Sequence, residues 1–151
     1  MPRKKQLGGS PDDVEAAFYD AICRGDIIAL MALWADDEEI VCIHPGAPRL
    51  FGHAAIRASW EAIFAAGGMQ LRPTRVHAIN YLMSAMHNVV EVAMTPPTTA
   101  PNPRNPGDDV YILATNVYAK TAQGWRIVCH HASFAPGVPP DEPVKAGAVL
   151  H

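Results

Sequence analysis

The sequence predicts an α+β domain in which three N-terminal helices pack on a strongly curved, mostly antiparallel sheet. Apolar residues recur at helical spacing only up to about Ala66, and from Gln70 onward they recur with period two. Helices first and strands afterwards is the pattern of a sheet packing its concave side on helices. In Tyr111-Ile112-Leu113-Ala114-Thr115-Asn116-Val117-Tyr118, odd and even positions alike carry large or apolar side chains, so neither face of that strand reads as solvated. The three helices can cover only the inner face. A second copy of the sheet is the expected cover for the outer one, which predicts a homodimer.

Each element has a local reason. Ser10-Pro11-Asp12-Asp13 offers a capping serine, a proline at the first helical position and acids in the first turn. Val14, Ala17, Phe18, Ala21 and Ile22 form one face of the helix that follows, and Arg24-Gly25 suits a left-handed end. Asp26 can cap a second helix with Ile27, Leu30, Met31 and Trp34 as its inner stripe. Ile40-Val41-Cys42-Ile43 is a short β-branched run stopped by His44-Pro45-Gly46-Ala47-Pro48. A third helix is expected from His53 to Ala66, with Ile56, Trp60, Ile63 and Phe64 on one face and Gly67-Gly68 ending it. Four strand-like runs follow: Gln70 to Met83, His87 to Thr95, Asp109 to Thr121, and Trp125 to Phe134. Ser84-Ala85-Met86 and Ala122-Gln123-Gly124 are the expected turns, and the loop from Thr95 to Gly107, with five prolines, reads as a projecting flap.

Composition narrows the function. A chain of 151 residues makes one domain, expected over 11–135, with a basic tail over 1–10 and a loose tail over 136–151. The net charge of −3 and pI near 6.1 argue against a nucleic-acid partner. The longest apolar stretches fall far short of the roughly 20 residues a bilayer span needs, and no secretion core follows the basic start, so a cytoplasmic protein with no membrane partner is expected. Cys23, Cys42 and Cys129 are odd in number and widely spaced, which supports neither a disulfide framework nor a zinc ribbon. No phosphate-binding glycine loop occurs. With no HExxH or HxH, and with His44, His53, His77 and His87 on different elements, neither a metal nor another cofactor is expected.

Several motifs together resemble the SnoaL-like branch of the nuclear transport factor 2 superfamily. They are Cys42-Ile43-His44-Pro45-Gly46, the segment Phe51-Gly52-His53 through Ser59-Trp60-Glu61-Ala62-Ile63, Thr115-Asn116-Val117-Tyr118, and Gly124-Trp125-Arg126-Ile127-Val128-Cys129-His130-His131-Ala132-Ser133. The resemblance covers residues 12 to 135. It implies a cone-shaped half-barrel with a deep pocket between sheet and helices, and a homodimer through the outer face of the sheet. It does not fix an activity, because the superfamily holds isomerases, cyclases, dehydratases and a kinase association domain. Similarity to that association domain aligns Asn116 and Trp60 with pocket positions. It also favours Val128, His130 and Ala132 as inward residues, with His131 at the dimer face. The tyrosine and two aspartates of ketosteroid isomerases have no match here.

The candidate chemistry rests on few groups. Neighbouring residues on a strand point to opposite faces, so only one of His130 and His131 can face a cavity. Histidine can shuttle protons near neutral pH, but a hydrogen-bonded structural histidine fits equally. Glu91 is a lone acid in Val89-Val90-Glu91-Val92-Ala93, costly to bury unless paired or protonated; its alternative is a sheet edge or a partner such as Arg75. Glu91 and His130 in one cavity would form an acid–base couple. Trp34, His44, Phe51, Trp60, Asn116 and Tyr118 complete the expected pocket for a small apolar or aromatic ligand. The expected function is small-molecule binding in a dimer, with cofactor-free proton transfer as isomerase, cyclase or dehydratase. A non-catalytic binding or oligomerisation module is the alternative.

Overall fold

The computed structural model describes residues 8–94 and 110–135. Ser10 caps helix α1 (Pro11–Arg24) by accepting the Asp13 backbone N–H at 3.1 Å, and Gly25 ends it at φ 65°, a left-handed conformation that costs glycine little. Asp26 at once caps α2 (Ile27–Ala32), accepting from the Ala29 N–H at 3.0 Å, so the two helices meet at a corner. Val14, Phe18, Ala21 and Ile22 are fully buried, and each large apolar side chain among them contributes about 2 kcal/mol by leaving water. Helix α3 (Gly52–Ala65) buries Ile56 and Trp60. Its first residue has a positive φ of 80°, a conformation that strains any residue with a Cβ and that glycine adopts freely. Among the described residues no helix is long and apolar enough to cross a membrane.

Six strands form one sheet in the order β2-β1-β6-β5-β4-β3, where β1 is Val41–Ile43, β2 Arg49–Phe51, β3 Gln70–Asn80, β4 Ser84–Met94, β5 Val110–Thr121 and β6 Gly124–Phe134. All neighbours are antiparallel except β1 and β6, which pair in parallel with Cys42 opposite His130. The sheet is curved and unclosed, and its concave side takes the helices. Phe18 sits at the centre of the core, edge-on to Tyr19, Trp34, Trp60 and His130 at ring separations of 5.2, 6.5, 6.0 and 5.1 Å.

Four local expectations need correction. Helix α2 ends before Trp34, which instead bridges to Ile127 as an extended residue. The segment Arg49–Phe51, to which no expected element extends, is strand β2, three residues held by pairing with β1. Ser84-Ala85-Met86 lies inside β4 because the turn comes earlier, at Tyr81-Leu82-Met83. The alternation expected for β6 also breaks: the register slips between Val117 and Tyr118, so Ile127 joins His130 and Ala132 as a buried residue, with Val128 partly buried against the core beside it. Within the expected basic tail, Gly8 is tied in, its carbonyl accepting the Trp125 N–H at 2.8 Å. The proline-rich flap, apart from its neighbours in β4 and β5, and the C-terminal tail lie outside the described residues.

Candidate functional site

The period-two alternation of β4, β5 and β6 puts His87, Glu91, Ile112, Asn116, Tyr118 and His130 on the concave face, and register fixes their rows: His87–Asn116–His130 and Glu91–Ile112. Glu91 and His130 therefore share one side of the sheet. Between that face and α3 lies a cavity of about 210 Å³. Trp60, Ile63, Met69, Leu71, Ile112 and Phe134 give it apolar walls, while His44, Glu91 and His130 give it polar ones.

Behind the polar wall runs a chain of buried hydrogen bonds whose direction is fixed by its amide. Asn116 Nδ2 can only donate, and it donates to the Tyr19 hydroxyl at 3.1 Å. The Tyr19 O–H in turn donates to Glu91 Oε2 at 2.6 Å. Asn116 Oδ1 can only accept, so His130 Nδ1 carries the proton that meets it at 2.5 Å. Neutral His130 then has its lone pair on Nε2. His44 is oriented by the same logic: Ser59 donates its hydroxyl proton to the Ile56 carbonyl at 2.7 Å, so His44 Nε2–H donates to Ser59 at 2.9 Å and the His44 lone pair stands on Nδ1.

Burial sets the charges. Desolvation lifts the Glu91 carboxyl to about 7 against the pull of the Tyr19 hydrogen bond, with Glu15 adding to the rise. Desolvation pushes His130 down to about 3, helped by His44 and His131. Desolvation also lowers His44 and raises the Tyr19 phenol, the latter with help from the Glu91 charge. Near neutral pH, Glu91 is thus the group poised to exchange a proton, and His130 is a neutral hydrogen-bond acceptor. A ring so deeply buried resists protonation, so His130 meets the cavity as the neutral imidazole.

The other expected pocket residues separate. His44 and Trp60 line the cavity. Asn116 lies behind the lining, where it links His130 to Tyr19. Trp34 packs in the core against Phe18, and Tyr118 packs deeper along the sheet against His87, with ring centres 5.0 Å apart. Neither is among the lining residues. Phe51 is 52 % exposed, lies under the Arg49 guanidinium, and is not among the lining residues of this cavity. Sequence reasoning missed Tyr19, whose only signal was its place beside Phe18 on the buried edge of α1. It also missed Met69, Leu71 and Phe134, which read as ordinary apolar strand or turn residues.

Residues 12–137 match the SnoaL-like domain family. No curated protein matches the sequence. Among solved structures, a protein from Thiobacillus denitrificans ATCC 25259, provisionally named a calcium/calmodulin-dependent protein kinase type II association domain, is 39% identical with a TM-score of 0.73, over 87% of this chain and 99% of that one. A provisionally named dehydratase of the NTF2-like family from Streptomyces avermitilis is 30% identical with a TM-score of 0.67, over 82% of this chain and 93% of its own. A provisionally named ketosteroid isomerase from Shewanella frigidimarina NCIMB 400, 17% identical with a TM-score of 0.62 over 80% of this chain and 92% of its own, shares the fold.

Proposed function

This chain belongs to the SnoaL-like domain family, and from that premise we propose that it binds a small neutral molecule in its cavity and moves a proton on it without a cofactor, as an isomerase, cyclase or dehydratase. The observation that carries this reading is the chain Glu91–Tyr19–Asn116–His130 behind the cavity wall. Glu91 is half protonated near pH 7, so one group can both take a proton from a carbon acid and return it to another atom or to a leaving hydroxyl. His130 Nε2, fixed by Asn116, accepts a hydrogen bond from the substrate; Tyr19 holds the Glu91 carboxyl in place. Among the described residues that line the cavity there is no lysine or arginine, so a neutral ligand suits it better than an anion. A homodimer through the outer face fits the half-buried Tyr111, Leu113 and Val117 of β5. A cytoplasmic location fits three unpaired cysteines.

A second reading, a non-catalytic binding or assembly module, draws on the 39% identity to a protein provisionally named an association domain. One experiment separates them. The full chain is incubated in D2O with a panel of neutral cyclic enones and β-hydroxy ketones, and deuterium uptake or water loss is followed by NMR. Turnover that rises through a group titrating near pH 7, and falls at least ~100-fold in Glu91→Gln, supports the enzyme. Ligand-dependent thermal stabilisation without any exchange supports the binding module.

A further inference from the structure

A second polar group lies on the same concave face, away from the cavity, where α1 begins. His87, on β4, is wholly buried, and its Nδ1 stands 2.7 Å from Glu15 Oε2. Its Nε2 has no hydrogen-bond partner, and it points to Asp12, whose Oδ1 is 3.9 Å away. Asp12, Glu15 and His87 each offer a ligand atom within 4.8 Å of the others. Two further atoms beside them, Glu15 Oε1 and the hydroxyl of Tyr118, are likewise buried without a partner.

We propose that His87 and Asp12 bind a divalent transition-metal ion such as Zn2+, with Glu15 as the outer carboxylate that orients the imidazole. Glu15 accepts from Nδ1–H, which places the lone pair of neutral His87 on Nε2, the ligating tautomer. Metal–nitrogen and metal–oxygen bonds are each about 2.0–2.2 Å, so two of them bridge up to about 4.2 Å. At the tetrahedral angle zinc takes, the two ligand atoms stand about 3.4 Å apart, and from the present 3.9 Å the exposed Asp12 side chain closes the difference by a small rotation. The Asp12 side chain is 89% exposed, which gives the ion a route in and leaves water for its remaining positions. An imidazole with a carboxylate selects zinc, cobalt or nickel over magnesium or calcium. The start of α1 carries partial positive charge, which opposes a cation, but two full carboxylate charges outweigh it.

The test is calorimetric titration of the full chain with ZnCl2, repeated on Asp12→Asn and Glu15→Gln, with the d–d spectrum of Co2+ as the second readout. Asp12→Asn changes an exposed side chain and leaves the fold intact. The expected result is one saturable ion per chain, affinity at least ~10-fold weaker in Asp12→Asn and about 10–100-fold weaker in Glu15→Gln, and a Zn2+-dependent rise in melting temperature that Asp12→Asn lacks. No saturable binding, or binding that Asp12→Asn leaves unchanged, overturns the proposal.

Discussion

The same helix and the same two strands hold two buried polar groups side by side. Tyr19 and Glu15 lie one turn apart on α1, Glu91 and His87 four residues apart on β4, and Asn116 and Tyr118 two apart on β5. In the first group, His130 to Asn116 to Tyr19 to Glu91, each side chain has a hydrogen-bond partner. In the second, Glu15 Oε1, His87 Nε2 and Tyr118 Oη have none. A buried network that is complete fixes tautomers and charge states by itself, whereas one with orphaned atoms carries an unmet cost that a visitor can remove. The contrast is what favours the two proposals, acid–base chemistry for the first group and ion capture for the second.

The contrast can be broken most sharply by pH. Glu91, near 7 when folded against an ordinary 4.5, keeps its proton in the folded chain where the unfolded chain has lost it; its contribution is fully present below pH 4.5 and is lost as pH rises to 7. His130, near 3 against an ordinary 6.5, works in the opposite sense, contributing above pH 6.5 and losing that contribution as pH falls toward 3. Between pH 4.5 and 6.5 the two slopes cancel. In Glu91→Gln one slope is gone, so urea-determined stability should drop by about 3 kcal/mol, relative to the parent's trend, from the top of that window to the bottom. A variant whose trend matches the parent's would break the assignment of Glu91 as the retained proton.

Next in size is a pair of matched hydroxyl deletions. Tyr19→Phe takes the donor from a buried carboxyl and the acceptor from Asn116, and should cost about 2 kcal/mol. It should also raise the Glu91 pKa further, shifting the pH dependence of any turnover upward. Tyr118→Phe removes an orphaned hydroxyl and should be neutral or stabilising by up to about 1 kcal/mol in the same denaturation assay. Equal losses in both variants would mean that the two groups do not differ. The smallest effect belongs to Phe51→Ala, outside both groups: under about 1 kcal/mol, from the lost Arg49 stacking, with ligand-induced thermal shifts unchanged.

What the sequence revealed follows the range of the forces involved. Caps at Ser10, Gly25 and Asp26 are local, and they stand where the spacing predicts. Glu91 was legible because a lone acid in a valine run has to be explained wherever it lies. Strand β2 was not, since three residues become a strand only through a partner. The inward turn of Ile127 was not legible because a bulge breaks alternation without any mark of its own in the sequence. Phe51 shows that aromatic character says nothing about which side of an element faces a cavity. Tyr19 and the Asp12–Glu15–His87 group were invisible for one reason: 72 residues separate Tyr19 from Glu91, and as many separate Glu15 from His87.

The parallel pairing of β1 with β6 bears on how this protein is made. Asn116 meets Tyr19 across 97 residues, and His130 meets Cys42 only when the last strand docks. Closing such distant parts of a polymer is entropically slow, so assembly of the cavity belongs to the end of folding. While the ribosome still holds β6, the nascent chain has helices, hairpin and walls without the histidine that completes them. The proposed ligand capture therefore waits for β6 to dock, and a fragment cut anywhere before His130 lacks that wall of the cavity.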